Sequence, residues 1–217
     1  MSSAQERRPG RPARLSRDAI VGVAERIVTA EGVAALTIRR VATELDSSPM
    51  AIYRHVRDKG ELLALLLDRA AARVARPRLP ASPRRRLLTL WRLLHDQLAE
   101  QPWVVEALAR SDLMGSSIVW LLEAILAAFV ACGLTPSQSL DAYRAVWRYT
   151  VGTLTLRHGA IRTPEGQRKP SFRREVLAAA DPHSAPTVAG LAESWDRPWP
   201  DYESGLTALL DGLLAHA

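Results

Sequence analysis

The spacing of apolar residues constrains this fold more than any other feature, because it keeps the helical period along the chain and shows no persuasive alternating run bounded by hairpin turns. From Ser16, the residues Ile20, Val23, Ala24, Ile27 and Val28 recur at intervals of three and four, with Ser16 as cap and Gly32 as stop, which predicts a first helix over 16–31. Thr37 caps a short second helix in which Ile38, Val41, Ala42 and Leu45 share one face and Arg39 and Arg40 the other. Only Asp46 and Ser47 intervene before a third, capped by Ser48 and opened by Pro49, whose missing N–H costs nothing in a first turn. Asp58 with Glu61 makes a start resembling a capping box for a leucine-rich fourth helix reaching about Arg76, where Pro77, Pro80 and Pro83 end it. Helices are expected beyond it at Pro83–Glu100, Pro102–Asp112, Ser116–Cys132, Ser137–His158, Phe172–Ala180, Thr187–Trp195 and Asp201–Ala215. The fold class is all-α, and no period of 20–50 residues marks a solenoid.

A chain of 217 residues, 47% hydrophobic and 24% charged, is long enough for a sizeable core and is not a disordered or collagen-like composition. Its single cysteine, Cys132, calls for no oxidising compartment, and residues 1–17 carry charge without a following apolar stretch, so a cytoplasmic location is expected. The most apolar run, Ile118 to Leu134, is 17 residues with Glu123 inside, which fits a buried helix better than a membrane span. Charge divides unevenly. Residues 1–86 hold 18 basic and 9 acidic side chains, the remainder 11 and 14. A basic front on a slightly acidic body suits a module that meets a polyanion, joined to one that does not. Arginine supplies 27 of the 29 basic residues, so a compositional bias could produce part of the same excess.

Two short helices so closely joined have the geometry of a helix-turn-helix, in which the second helix enters the major groove of DNA. The outward residues would be Pro49, Met50, Ala51, Tyr53, Arg54 and His55, with Ile52 and Val56 facing inward. Tyr53 and His55 suit phosphate or base-edge hydrogen bonds, and Arg39 suits guanine O6 and N7. Lys59 would add a cation to the N–H groups opening the fourth helix, and Thr37 and Ser48 would stand beside the backbone as caps. The run Leu36-Thr37-Ile38-Arg39-Arg40-Val41-Ala42, with Ser48-Pro49-Met50-Ala51-Ile52-Tyr53-Arg54-His55-Val56-Arg57-Asp58-Lys59-Gly60-Glu61-Leu62-Leu63, resembles the DNA-binding domain of the tetracycline-repressor (TetR) family of transcriptional regulators. Tyr202-Glu203-Ser204-Gly205-Leu206, with Leu209, Leu210, Gly212 and Leu213, resembles that family's closing helix, and Tyr149-Thr150-Val151-Gly152 its preceding dimer helix. The resemblance implies a homodimeric repressor with a three-helix reading head and a helical effector domain, released from DNA by a small molecule. It also implies DNA contact at Thr37, Arg39, Pro49, Ala51, Tyr53, His55 and Lys59. Ala51 and Arg54 depart from the family pattern, which points to an operator of this chain's own. The absence of a His-x-x-x-His pair argues against the magnesium that tetracycline carries.

The arm Arg7-Arg8-Pro9-Gly10-Arg11-Pro12-Ala13-Arg14 has the Gly-Arg-Pro core of an AT-hook, and Arg11 and Arg14 are expected in the minor groove of A·T-rich DNA. All six tryptophans lie beyond the linker. Trp91, Trp103, Trp120 and Trp147 could wall a pocket for a hydrophobic or aromatic effector, with His95, Arg148 and His158 as polar groups; the alternative is core or dimer seam. Gly205 and Gly212 are seven apart, as are Gly152 and Gly159, so pairing these helices with their symmetry mates would build a four-helix dimer interface that includes Leu209 and Leu213. The expected organisation is an arm over 1–15, a reading head over 16–62, a connecting helix and linker over 63–82 and an effector and dimerisation domain over 83–217. No nucleophile, metal or phosphate-loop pattern marks an enzyme, and no cofactor is expected. The rival reading is a DNA-binding protein or activator of the same fold without an effector.

Overall fold

Short polar side chains begin the helices. Ser16 accepts a hydrogen bond from the Ala19 N–H, Thr37 from Arg40, Ser48 from Ala51, Asp58 from Glu61 and Asp201 from Ser204, each at 2.7–3.3 Å. Each cap satisfies one of the N–H groups that a first helical turn leaves without a partner. The structure, a computed structural model, describes residues 15–110, 113–161, 172–194 and 200–215. Its helices are α1 (Arg17–Glu31), α2 (Ile38–Glu44), α3 (Pro49–Tyr53), α4 (Lys59–Ala72), α5 (Pro83–Glu100) and α6 (Pro102–Arg110). There follow α7 (Val119–Ala131), α8 (Pro136–Ile161), α9 (Phe172–Ala178), α10 (Pro186–Leu191) and α11 (Tyr202–Leu214). Single 3-10 turns stand at Val33–Ala35, Ser116–Ile118 and Ala192–Ser194, and the described residues contain no strand. Several expected boundaries move. The fourth helix stops at Ala72 rather than Arg76, the expected Ser116–Cys132 helix opens with a 3-10 turn before α7, α8 runs on to Ile161, and the expected Thr187–Trp195 helix gives way to a 3-10 turn after Leu191.

Two compact units emerge. The first joins residues 1–76 to 101–120, and the second joins 77–100 to 121–217. Segment 101–120, inside the 83–217 domain expected from the sequence, thus packs in the same compact unit as the head. The reason lies in specific bonds. The Val33 N–H donates to the Glu106 carboxylate of α6 at 3.2 Å, and Asp68 of α4 accepts from the Ser117 N–H at 2.7 Å and the Ser116 hydroxyl at 3.0 Å. These bonds hold the Asp68 carboxyl below its usual range, the Ser117 N–H contributing most. Gly115 completes the contact, since a Cβ there would stand 2.6 Å from the Asp68 Cα and 2.8 Å from its nitrogen.

The core of the first unit combines the apolar face predicted for α1, with Ile20, Ala24 and Val28 no more than 1% exposed, and the equally buried Leu36, Val41, Ile52, Leu62 and Leu66. In the second unit α5, α8 and α11 pack on one another through Leu87, Leu90, Trp91, Val146, Leu154, Leu206 and Leu210. Among the described residues no single helix is long and apolar enough to cross a membrane.

Candidate nucleic-acid interface and aromatic cluster

The turn between α2 and α3 is built by backbone chemistry that the sequence reading did not resolve. Leu45 closes α2, Asp46 takes a left-handed conformation at φ 47°, and the Asp46 and Ser47 N–H groups donate back to Thr43 and Ala42. This is a Schellman closure, with aspartate where glycine is commoner. It satisfies the last carbonyls of α2 and redirects the chain within two residues, so that Ser48 can cap α3. The signal available in advance was Asp46 itself, one of the few side chains that tolerate φ > 0.

Across this turn Ile52 and Val56 are buried at 0% and 2%, while Met50 is 71% and Tyr53 48% exposed. Thr37, Arg39, Ser48, Pro49 and Arg54 are also exposed, and Ala51 and His55 half-buried. The two arginines of α2 differ. Arg40 is held by Glu44 at 3.1 Å and Glu31 at 3.0 Å, whereas no ion pair engages Arg39 among the described residues. An apolar Met50 and a phenol standing in water, beside an uncommitted guanidinium, make a surface suited to base edges and phosphates.

Two bonds at the start of α4 add to what the spacing predicts. The Lys59 ammonium spends one of its three donors on the Val33 carbonyl at 3.0 Å, because its stem is long enough to reach back to the 3-10 turn. The capping box is also displaced. Asp58 accepts the Glu61 N–H as expected, but the Glu61 carboxylate takes the Arg57 N–H at 2.7 Å instead of that of Asp58. That bond, with Arg57 and Arg17 nearby, holds the Glu61 carboxyl below its ordinary value. Arg11 and Arg14 lie outside the described residues.

The expected pocket residues do not fall in one unit. Trp103 is buried at 4% in the first unit, where Trp120 lies half-buried beneath the Arg76 guanidinium, 5.1 Å from its ring centroid. Trp91, His95, Trp147 and Arg148 belong to the second unit, with Arg148 exposed. There the aromatic rings form two ladders. Trp147 stacks on Tyr143 at 6.5 Å, and Tyr143 lies 5.5 Å from Trp91. His95 stacks on Tyr202 at 3.9 Å, and Tyr202 on Tyr149 at 5.4 Å. Hydroxyl groups tie the second ladder to the backbone. Thr150 Oγ1 lies 2.8 Å from the Val146 carbonyl and 2.8 Å from the Tyr202 hydroxyl, which also reaches the Trp91 carbonyl at 3.5 Å. Burial drives the Tyr202 phenol well above its ordinary pKa. Tyr143 was not singled out in advance, and Tyr202 only as part of the closing-helix motif, because a helical tyrosine looks the same in sequence whether it is core or site.

Gly205 already has a neighbour within its own chain. A Cβ there would stand 2.1 Å from the Tyr149 hydroxyl, which donates to the Tyr202 carbonyl at 3.1 Å, so the missing side chain admits a tyrosine of the same chain. Gly152 and Gly212 have no heavy atom within 4 Å of such a Cβ, and Leu209 and Leu213 are half-buried.

A capped helix-turn-helix with an exposed polar and aromatic face, carried with a separate helical body, defines the class of helical DNA-binding regulators. Comparison with known proteins narrows this. Residues 76–217 match the family model described as Tetracyclin repressor-like, C-terminal domain. The chain is 32% identical to the HTH-type transcriptional repressor DrrR1 of Streptomyces coeruleorubidus, over 95% of this chain and 81% of that one. In fold it is similar to ActR of Streptomyces coelicolor, solved in complex with actinorhodin, with a TM-score of 0.79 and 23% identity over 94% of this chain and 98% of that one. It is also similar to BioQ, solved with its double-stranded DNA operator, with a TM-score of 0.62 and 25% identity over 94% and 100%. The chain belongs to the TetR family of transcriptional regulators.

Proposed function

We propose that this chain is a homodimeric repressor that binds a palindromic operator in the cytoplasm and is released by a small aromatic or hydrophobic effector. The observation that carries the reading is the exposed face of α2 and α3, where Arg39, Met50, Tyr53 and Arg54 stand outward over buried Ile52 and Val56. Arg39 reads a guanine; Tyr53, His55, Thr37 and Ser48 fix the register on phosphates, and Pro49, Met50 and Ala51 approach the bases. Lys59 joins them through the ammonium donors that its bond to Val33 leaves over. The arm, through Arg11 and Arg14, follows the minor groove. Exposed Gly212 and half-buried Gly152, with Leu209 and Leu213, support an isologous seam of α8 and α11 that sets the two heads about 34–36 Å apart. The aromatic ladders around Trp91, and the complex of ActR with actinorhodin, support an aromatic effector held in the helical body.

The test is a footprint of the purified protein on DNA flanking its own gene at several salt concentrations. A protected palindrome is expected, weakened by about 1–3 kcal/mol in Arg39→Ala with relaxed preference at one base pair. Removing residues 1–14 should weaken binding and flatten its salt dependence. Protection that Arg39→Ala leaves untouched at every base would remove the reading head from this surface.

A further inference from the structure

Trp91 is 0% exposed, yet its indole Nε1–H is the one buried side-chain nitrogen or oxygen without a hydrogen-bond partner among the described residues. Protein interiors rarely leave a donor in that state, so an orphan in a native fold calls for a partner that the chain itself does not supply. The neighbours sharpen the question. Tyr143, 5.5 Å away centroid to centroid, also makes no hydrogen bond through its hydroxyl among the described residues, and burial raises its phenol above the ordinary value. Trp147, half-buried and parallel to Tyr143 within 8°, continues the same ladder outward along α8. The polar groups of the second ladder have partners: His95 Nδ1 with Asp96 at 3.0 Å, Tyr202 with Thr150 and, at 3.5 Å, the Trp91 carbonyl, and Thr150 with Val146. The one unpartnered buried donor among the described residues therefore sits beside the Tyr143–Trp147 ladder.

Resting on the reading of the helical body as an effector domain, the geometry points to Trp91 and Tyr143 as the residues that select the effector's chemistry: a planar polycyclic aromatic carrying a carbonyl oxygen, which accepts from Trp91 Nε1 while its rings join the Tyr143–Trp147 ladder. A flat hydrocarbon would stack and leave the indole N–H unsatisfied. A carbonyl on the same skeleton would relieve it, and discrimination by a buried donor of this kind is large because the wrong ligand leaves the group unpaired.

The experiment compares two nearly isosteric tricycles, 9-fluorenone and fluorene, by titration into the full-length protein. Affinity is read by tryptophan fluorescence, and the indole N–H by proton–nitrogen correlation spectra with the Trp91 peak assigned from Trp91→Phe. Fluorenone should bind about tenfold more tightly than fluorene and move the Trp91 indole peak downfield, the size expected of one hydrogen bond to a buried donor. Trp91→Phe should abolish the preference. Tyr143→Phe, which removes one oxygen and keeps the ring, should reduce it if Trp91→Phe folds poorly. Equal affinity for the two tricycles with an unmoved Trp91 peak overturns the donor assignment while leaving an aromatic effector site in place. If neither tricycle binds, the aromatic effector reading falls with it.

Discussion

Gly115→Ala is the substitution whose consequence can be worked most directly from the structure. The backbone at Gly115 is extended, at φ −78° and ψ 143°, so alanine meets no conformational penalty there. Everything turns on space. The new methyl would lie 2.6 Å from a backbone carbon and 2.8 Å from a backbone nitrogen of Asp68, atoms in the middle of α4 that cannot swing aside. Segment and helix must part by about an ångström, since ordinary contacts between such atoms begin at about 3.5 Å. Overpacking of this kind costs about 1–3 kcal/mol. The same movement stretches the bonds from Ser116 and Ser117 to the Asp68 carboxylate, each worth about 1.5–3 kcal/mol at most and less at this half-buried site. The total is about 3 kcal/mol, a loss of roughly 6–12 °C in Tm for a chain of this size. Thermal and urea unfolding followed by far-UV circular dichroism would measure it. Gly190→Ala is the control, because its Cβ meets nothing within 4 Å and the change should be neutral or stabilising by up to about 1 kcal/mol. A Gly115→Ala protein within about 1 kcal/mol of the wild type would refute the clamp.

Two further outcomes follow from other contacts. Gly205→Ala forces the Tyr149 hydroxyl off the Tyr202 carbonyl and disturbs a stacked pair, together costing about 2 kcal/mol against about 1 kcal/mol gained in helix propensity. A net loss of about 1 kcal/mol in chemical denaturation is expected, and a clear gain would show that the tyrosine moves freely. Asp68 is held below its unfolded pKa, so its contribution is present above the unfolded value of about 3.9 and disappears as pH falls through the lower folded one. The stability difference between wild type and Asp68→Asn should therefore be level near neutrality and shrink in acid below about pH 4. A difference that persists unchanged to pH 2 would contradict the assignment.

The head was legible because its elements are local. Caps at Ser16, Thr37, Ser48 and Asp58 act over three residues, and the inward pair Ile52 and Val56 follows from helical spacing alone. What escaped the sequence depends on long side chains and on distant partners. Lys59 carries four methylenes, so its position on a helix does not fix where its charge goes. Trp103 was grouped with the other tryptophans by residue type, but Glu106, three positions later on α6, ties that helix to Val33 and so to the head. The glycine at 205 has the right spacing for a seam, yet the residue that fills its notch is 56 positions away, and spacing carries no information about that.

The peptide groups of Val33 have a consequence of their own. Its N–H faces the Glu106 carboxylate and its carbonyl faces the Lys59 ammonium, so one residue is polarised from both ends by opposite full charges. The two bonds fall on adjacent peptide units, on either side of the Val33 Cα, so they fix the position of the turn rather than each other's strength. Glu106 and Lys59 thus pin one residue from two helices without touching. A shift of α6 that carried Val33 with it would also carry away the carbonyl on which Lys59 rests.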